Sequence, residues 1–474
     1  MKKSANWSLI LMRKSILTLS FVLFLLGVHA SSIKASPEYR KVAMAFLESI
    51  TSEEFQKATE NFDKKMADGL PHQHLQTFWE QMQMQFGKFV AISTYSESHI
   101  VDVGTVFVNH LVFEKDSLRT LVTVGQNSET NKIEIVGFFL QPIEKQSDSK
   151  EYVDAEYVDK SKFEEIEIIL PPDSILKGRL TIPKNLSKNQ KVPAVVLVHG
   201  SGPHDFDGTI FENKPFRDIA FGLSGNGIAV LRYNKRTLVD KNLDATLTIN
   251  EESVFDAVEA VNFLKENYSD RIENIYVLGH SQGGFVLPRI ANLSKNASGF
   301  ISLAGNSRPF SESLIDQYEY LFSLNKQDAE TQEEKDYIDS LKIVELEKVK
   351  RLKRNDFDES TPRNLLPLGI HPKYYMDIAD YNPAKEFANE NRPILFLQGA
   401  RDYQVTLKDF ELWKKELGER PNTTFILFDD LNHLLQTGVG KSKPVEYSVK
   451  QNVNKQVVDT IVNWLNEVQR FNHK

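Results

Sequence analysis

Between residues 38 and 86, apolar side chains recur every three or four positions in "YRKVAMAFLESI", "EEFQKATENFDKKM" and "HLQTFWEQMQMQF". That spacing matches the 3.6-residue turn of an α-helix and predicts helices. The period then shortens. "KFVAISTY", "TVFVNHLVFE", "LRTLVTV" and "KIEIVGFFL" alternate apolar and polar positions or run β-branched, which predicts four strands of an antiparallel sheet. Helices followed by strands describe a small α+β domain over residues 38–143. The charged, serine-bearing stretch at 144–160 shows no apolar face and is expected to be a linker.

From residue 161 the pattern changes again. "FEEIEIIL" and "ILKGRLTIP" predict an opening hairpin, and short buried runs follow at 194, 228, 275, 300, 394 and 424. Between them lie amphipathic segments such as "ESVFDAVEAVNFLKENY", with Val254, Val258, Val261 and Leu264 on one side. Strands separated by helices cross over and pair in parallel, so the expected fold class is α/β, a mostly parallel sheet with helices on both faces. About 80 residues, 310–390, interrupt this rhythm and are expected to form a helical lid.

Composition narrows the classes of partner. The 57 basic and 65 acidic side chains of the 474 residues give a formal charge of -8, with no basic block of the kind that binds nucleic acid. Arg13 and Lys14 precede the uncharged run Ile16 to Val28, and "VHA" at 28–30 supplies small residues, so residues 1–30 read as a signal peptide cleaved after Ala30. The expectation is an exported protein, periplasmic or secreted, with no stable membrane span after cleavage. The run is short of the roughly 20 apolar residues needed to cross a bilayer. Zero cysteines removes disulfides and cysteine-based chemistry.

The chemistry-bearing stretch is "LGHSQGGFV" at 278–286, where Gly279-His280-Ser281-Gln282-Gly283 joins a predicted strand to a predicted helix. In a turn this tight a Cβ at either glycine strikes a neighbouring element, and the serine is held with its Oγ outward. A serine needs a base and an orienting carboxylate, expected in the order Ser, acid, His, each just past a strand. Asp402 in "FLQGARDYQV" and His433 in "FDDLNHLL" meet that order, whereas Asp429 and Asp430 sit too near His433 along the chain. Two N–H donors must hold the developing oxyanion. Gln282 supplies one. Ser201, in "VLVHGSGPHDFDG", is the natural second, with its neighbour Gly202 also open. His199, Gly200, Gly202 and His280 are candidates for the pocket lining, while His204 and Asp205 fit a pocket or a solvated loop equally.

With these motifs in view, residues 161–474 resemble the α/β-hydrolase superfamily. "HGSGP", "NKPFRDIAFGLSGNGIAVLRYNKRT", "GHSQGG", "YYMDIADYNP" and "LQGARDYQVT" resemble exported bacterial hydrolases related to dienelactone hydrolases and serine aminopeptidase-like esterases. The first domain resembles the cystatin-like or nuclear-transport-factor-like modules that precede such hydrolases. Dienelactone enzymes use a cysteine nucleophile and this chain has none, so that narrower activity does not transfer. The resemblance implies a serine hydrolase acting on small carboxylic esters without metal or organic cofactor. A peptidase, acyltransferase or thioesterase would use the same triad. A third reading, of another class, is a cell-envelope binding protein whose first domain recognises a partner. Substrate and oligomeric state are not legible at this level.

Three further signals carry less. "HQH" at 72–74 lacks a third ligand nearby, so it is set aside as a metal site. "KVKRLKR" at 348–354 follows an acidic run and reads as a solvated helix face. Trp79, Phe89, Phe138 and Phe139 read as core.

Overall fold

The protein, a computed structural model, is described over residues 36–472 apart from 102–103, 128–129, 143–151, 173–174, 185, 188, 241–245 and 330. The expected signal segment 1–30 lies outside the described residues. Among the described residues, no helix is long and apolar enough to cross a membrane. The chain divides into two compact units, with the boundary between Glu151 and Tyr152.

In the smaller unit the helix Pro37–Thr51 begins with proline at its first turn, and the Ser36 side chain accepts from Glu38 N–H. The helix His72–Phe86 buries Leu75, Trp79 and Met82. Four strands, β1 (Phe89–Val101), β2 (Gly104–Phe113), β3 (Ser117–Gln126) and β4 (Ile133–Pro142), form an antiparallel meander in chain order. Phe46, Phe107 and Phe138 fill the core, and the Phe46 and Phe138 rings meet edge to face at 4.9 Å. The middle segment departs from its helical spacing. It forms two short helices, Phe55–Ala58 and Lys64–Gly69, because Phe62 between them is buried and bridges Ile135 of β4. Asp63 then caps the second helix through Met66 N–H at 2.7 Å. Tertiary burial of one aromatic side chain outweighs the local period.

The larger unit contains an eight-stranded sheet in the order β12-β11-β10-β9-β7-β8-β6-β5. Its strands are β5 (Phe163–Leu170), β6 (Leu176–Pro183), β7 (Val192–Val198), β8 (Ala229–Tyr233), β9 (Ile272–His280), β10 (Ala297–Leu303), β11 (Ile394–Gly399) and β12 (Thr423–Phe428). β5 and β6 form the antiparallel hairpin, and β8, β7, β9, β10, β11 and β12 run parallel. β7, β8 and β11 are buried at every position, as a parallel sheet covered on both faces requires. Two apolar clusters lie on its two faces, one with Ile290, Phe300 and Trp413, the other with Phe216, Ile301 and Trp464. This is the α/β-hydrolase architecture.

The expected linker 144–160 requires correction. Residues 144–151 lie outside the described residues, but 152–160 pack on the larger unit. Tyr152 Oη donates to Asp218 at 2.9 Å, Tyr157 Oη donates to the Val453 carbonyl at 2.9 Å, and Asp154 pairs with Arg217 at 2.8 Å. Aromatic and acidic side chains that look solvated along the chain find partners far away in sequence. Between β10 and β11, the helices Phe310–Asp328 and Gln332–Lys353 pack on each other, followed by the shorter Pro372–Ile378 and Pro383–Phe387.

Candidate active site

Parallel strands all point their C-terminal ends at one sheet edge, so residues that follow different strands converge there. His199 follows β7 and Ser281 follows β9, and these two strands are neighbours, with Val198 opposite Gly279. Asp402 and His433 lie just past the adjacent strands β11 and β12.

Ser281 has φ 55° and ψ −116°, a region that a residue with a Cβ rarely adopts. The turn is held by Ser281 N–H donating to the Leu303 carbonyl at 3.0 Å. Its two glycines are dictated by space. A Cβ on Gly279 would lie 2.2 Å from the Gly283 carbonyl oxygen, and one on Gly283 would lie 2.3 Å from the Val198 carbonyl oxygen. Any larger residue would push the helix off the sheet.

His433 Nδ1 and Asp402 Oδ2 are 2.7 Å apart, and both side chains are almost wholly buried. Asp402 Oδ1 accepts N–H bonds from Gln404 at 2.7 Å and Val405 at 3.1 Å, which holds the carboxylate in one rotamer. Asn432 Oδ1 accepts from Leu434 and Gln436 N–H and shapes the loop that carries His433. His280 Nε2–H donates to the His433 carbonyl at 2.9 Å. Burial pushes the His280 pKa down to about 3, so it stays neutral.

Ser281, His433, His280, His199, Gly200 and Ser201 face one cavity of about 50 Å³. His204, Ile210, Phe216, Phe310, Ser313 and Gln404 also contribute to its wall. His199 donates its Nε2–H to the Tyr233 carbonyl at 2.6 Å and stacks on Phe216 at 4.7 Å; burial holds it well below its usual pKa. Gly202 departs from expectation. It is not part of the wall; its carbonyl accepts from Thr237 Oγ1 at 3.4 Å, and its φ is 93°. Gln282 likewise sends its side chain away from the cavity, toward Lys235, Glu252 and Tyr374. As the first residue of the helix Gln282–Phe285, it has a backbone N–H with no partner inside that helix.

Sequence reasoning left His204 undecided and passed over Lys235, Glu252, Tyr374 and the cavity-facing residues of the helix Phe310–Asp328. The one available signal was Lys235, two positions after the buried run "AVLRY", an expensive place for an unpaired ammonium.

Residues 43–134 match the family described as "Protein of unknown function (DUF3887)". Est1E from Butyrivibrio proteoclasticus is similar at 15% identity with a TM-score of 0.39, over 64% of this chain and 99% of that one. A Pyrococcus furiosus esterase is similar at 15% identity with a TM-score of 0.36, over 56% of this chain and 82% of that one. Esterase EstD of Thermotoga maritima is 40% identical over 423 residues, 89% of this chain and 94% of its own length. An identity of that level, spanning both units of the chain, places this protein in the family of EstD, the esterases of the α/β-hydrolase fold.

Proposed function

We propose that this esterase hydrolyses carboxylic esters through Ser281, His433 and Asp402, by way of an acyl-enzyme. Ser281 Oγ attacks the ester carbonyl and its proton passes to His433 Nε2. Asp402 Oδ2 accepts the Nδ1–H, fixes the tautomer and stabilises the imidazolium. The amides of Gln282 and Ser201 hold the oxyanion. His433 then gives its proton to the leaving alcohol, and the same groups act in reverse order when water attacks the acyl-enzyme.

The observation that carries this reading is the 2.7 Å bond between His433 Nδ1 and Asp402 Oδ2, with the imidazole facing the same cavity as the strained Ser281.

Ser281→Ala tests the mechanism. Turnover of p-nitrophenyl acetate should fall by at least ~10⁴-fold, and labelling by a fluorophosphonate probe should disappear. Wild-type turnover in the folded variant would remove Ser281 from the mechanism.

A further inference from the structure

Beneath the cavity lies a buried polar cluster that the mechanism above does not use. Lys235 stands just past β8, Glu252 lies in the 250–254 turn that leads into the helix Phe255–Asn267, and Tyr374 belongs to the helix Pro372–Ile378. Their side chains are almost wholly withdrawn from solvent. Lys235 Nζ donates to Glu252 Oε1 at 2.6 Å, to the Gly200 carbonyl at 2.7 Å and to Gln282 Oε1 at 2.9 Å. Three acceptors match the three N–H bonds of one ammonium. Tyr374 Oη donates to Glu252 Oε2 at 2.7 Å and accepts from Gln282 Nε2 at 2.7 Å.

The Gly200 carbonyl and the Ser201 N–H belong to one planar trans peptide, so they point in opposite directions. A cation bound to the oxygen therefore sets the direction of the N–H on the far side. It also draws electron density toward the carbonyl and sharpens the peptide dipole. The second bond of the same ammonium holds the side chain of Gln282, whose own N–H is the other donor. One buried charge thus grips both segments that stabilise the oxyanion.

We propose that Lys235, braced by Glu252 and Tyr374, is the positioning residue of the oxyanion hole. It touches no substrate. The inference rests on the reading of the Ser201 and Gln282 amides as the oxyanion donors. A buried ion pair is weak grounds for stability, since an apolar replacement is often neutral. Its geometric value here lies in registering the loop after β7 against the elbow after β9. Burial lowers the Lys235 pKa and Glu252 opposes that shift, which agrees with an ammonium retained by its counter-ion.

The test compares wild type with Lys235→Met/Glu252→Gln, a pair of changes that leaves no unmatched buried charge. For p-nitrophenyl acetate, kcat should fall by about 10- to 100-fold while KM moves less than about threefold. Affinity for a trifluoromethyl ketone, which forms a tetrahedral oxyanion on the enzyme, should fall in parallel with kcat. The pH profile should keep its shape, because His433 is untouched. Wild-type kcat in a folded double variant overturns the proposal, as does a loss confined to KM or to melting temperature. If the double variant does not fold, Tyr374→Phe decides: a drop in kcat of about threefold or more at constant KM supports the role, and unchanged kcat overturns it. Ser281→Ala measured alongside separates the two readings. Activity surviving in that variant sinks the serine mechanism itself, whereas a dead Ser281→Ala beside a fully active Lys235 variant sinks only the positioning role.

Discussion

At the scale of single residues, the site depends on conformations that only a few residue types tolerate and on hydrogen bonds that fix tautomers. Asp402 is the clearest case. Its two oxygens are divided between His433 Nδ1 on one side and the Gln404 and Val405 amides on the other. Asp402→Asn keeps the shape but offers His433 an N–H or a neutral oxygen, which loosens control of the imidazole tautomer. The expected result is a fall in kcat on the order of 10³- to 10⁴-fold with KM nearly unchanged, read from initial rates on p-nitrophenyl acetate. A loss below tenfold would mean that another carboxylate orients the imidazole. The positions of Ser281, Asp402 and His433, each just past a strand, were legible along the chain because the strands show in local runs of apolar residues. The hydrogen-bond partners of Lys235 were not legible, since Gly200, Glu252 and Gln282 meet it from three separate segments.

At the scale of elements, the strands were legible from runs of β-branched residues, and β5 to β12 lie where those runs fall. The segments on either side of the sheet were less so. The helix Phe310–Asp328 looks amphipathic along the chain, but which of its residues face the active-site cavity depends on how it docks. Phe310 and Ser313, one turn apart, both do. Ser313 Oγ is buried and has no hydrogen-bond partner among the described residues. If this helix sets the length of acyl group accepted, Phe310→Ala should open the cavity by most of a phenyl ring. Turnover of p-nitrophenyl octanoate should then rise about tenfold relative to the acetate. An unchanged chain-length profile would show that another element closes the cavity. The failed helix at 53–66 carries the opposite lesson. Its spacing is helical, yet burying Phe62 against β4 gains more than two further turns of exposed helix.

At the scale of the whole molecule, the larger unit buries several groups in their neutral forms, and that couples stability to pH. Burial holds His199 well below its usual pKa, His204 at about 4 and His280 at about 3. The unfolded chain takes up protons on these rings below about pH 6.5, whereas the folded unit does not until much lower pH. Stability is therefore present above that value and is lost as pH falls from about 6.5 toward 4, by about 1.4 kcal/mol per pH unit for each ring. Asp218 acts in the other direction, since burial raises its pKa to about 6 and favours the folded state as it protonates. Three rings outweigh one carboxyl. Urea unfolding of the hydrolase unit should show a midpoint that drops steadily from pH 7 to pH 5; a flat or rising midpoint would contradict neutral burial of these histidines. What the sequence determined by itself was the set of strands, the strand-turn-helix at Ser281 and the places of Asp402 and His433 just past strands, because each follows from local period, steric room and chain order. What only the tertiary structure decided was the docking of residues 152–160, the wall of the cavity and the ammonium behind the oxyanion donors. Those features arise from contacts between segments tens to hundreds of residues apart, where burial, and not local pattern, selects the partner.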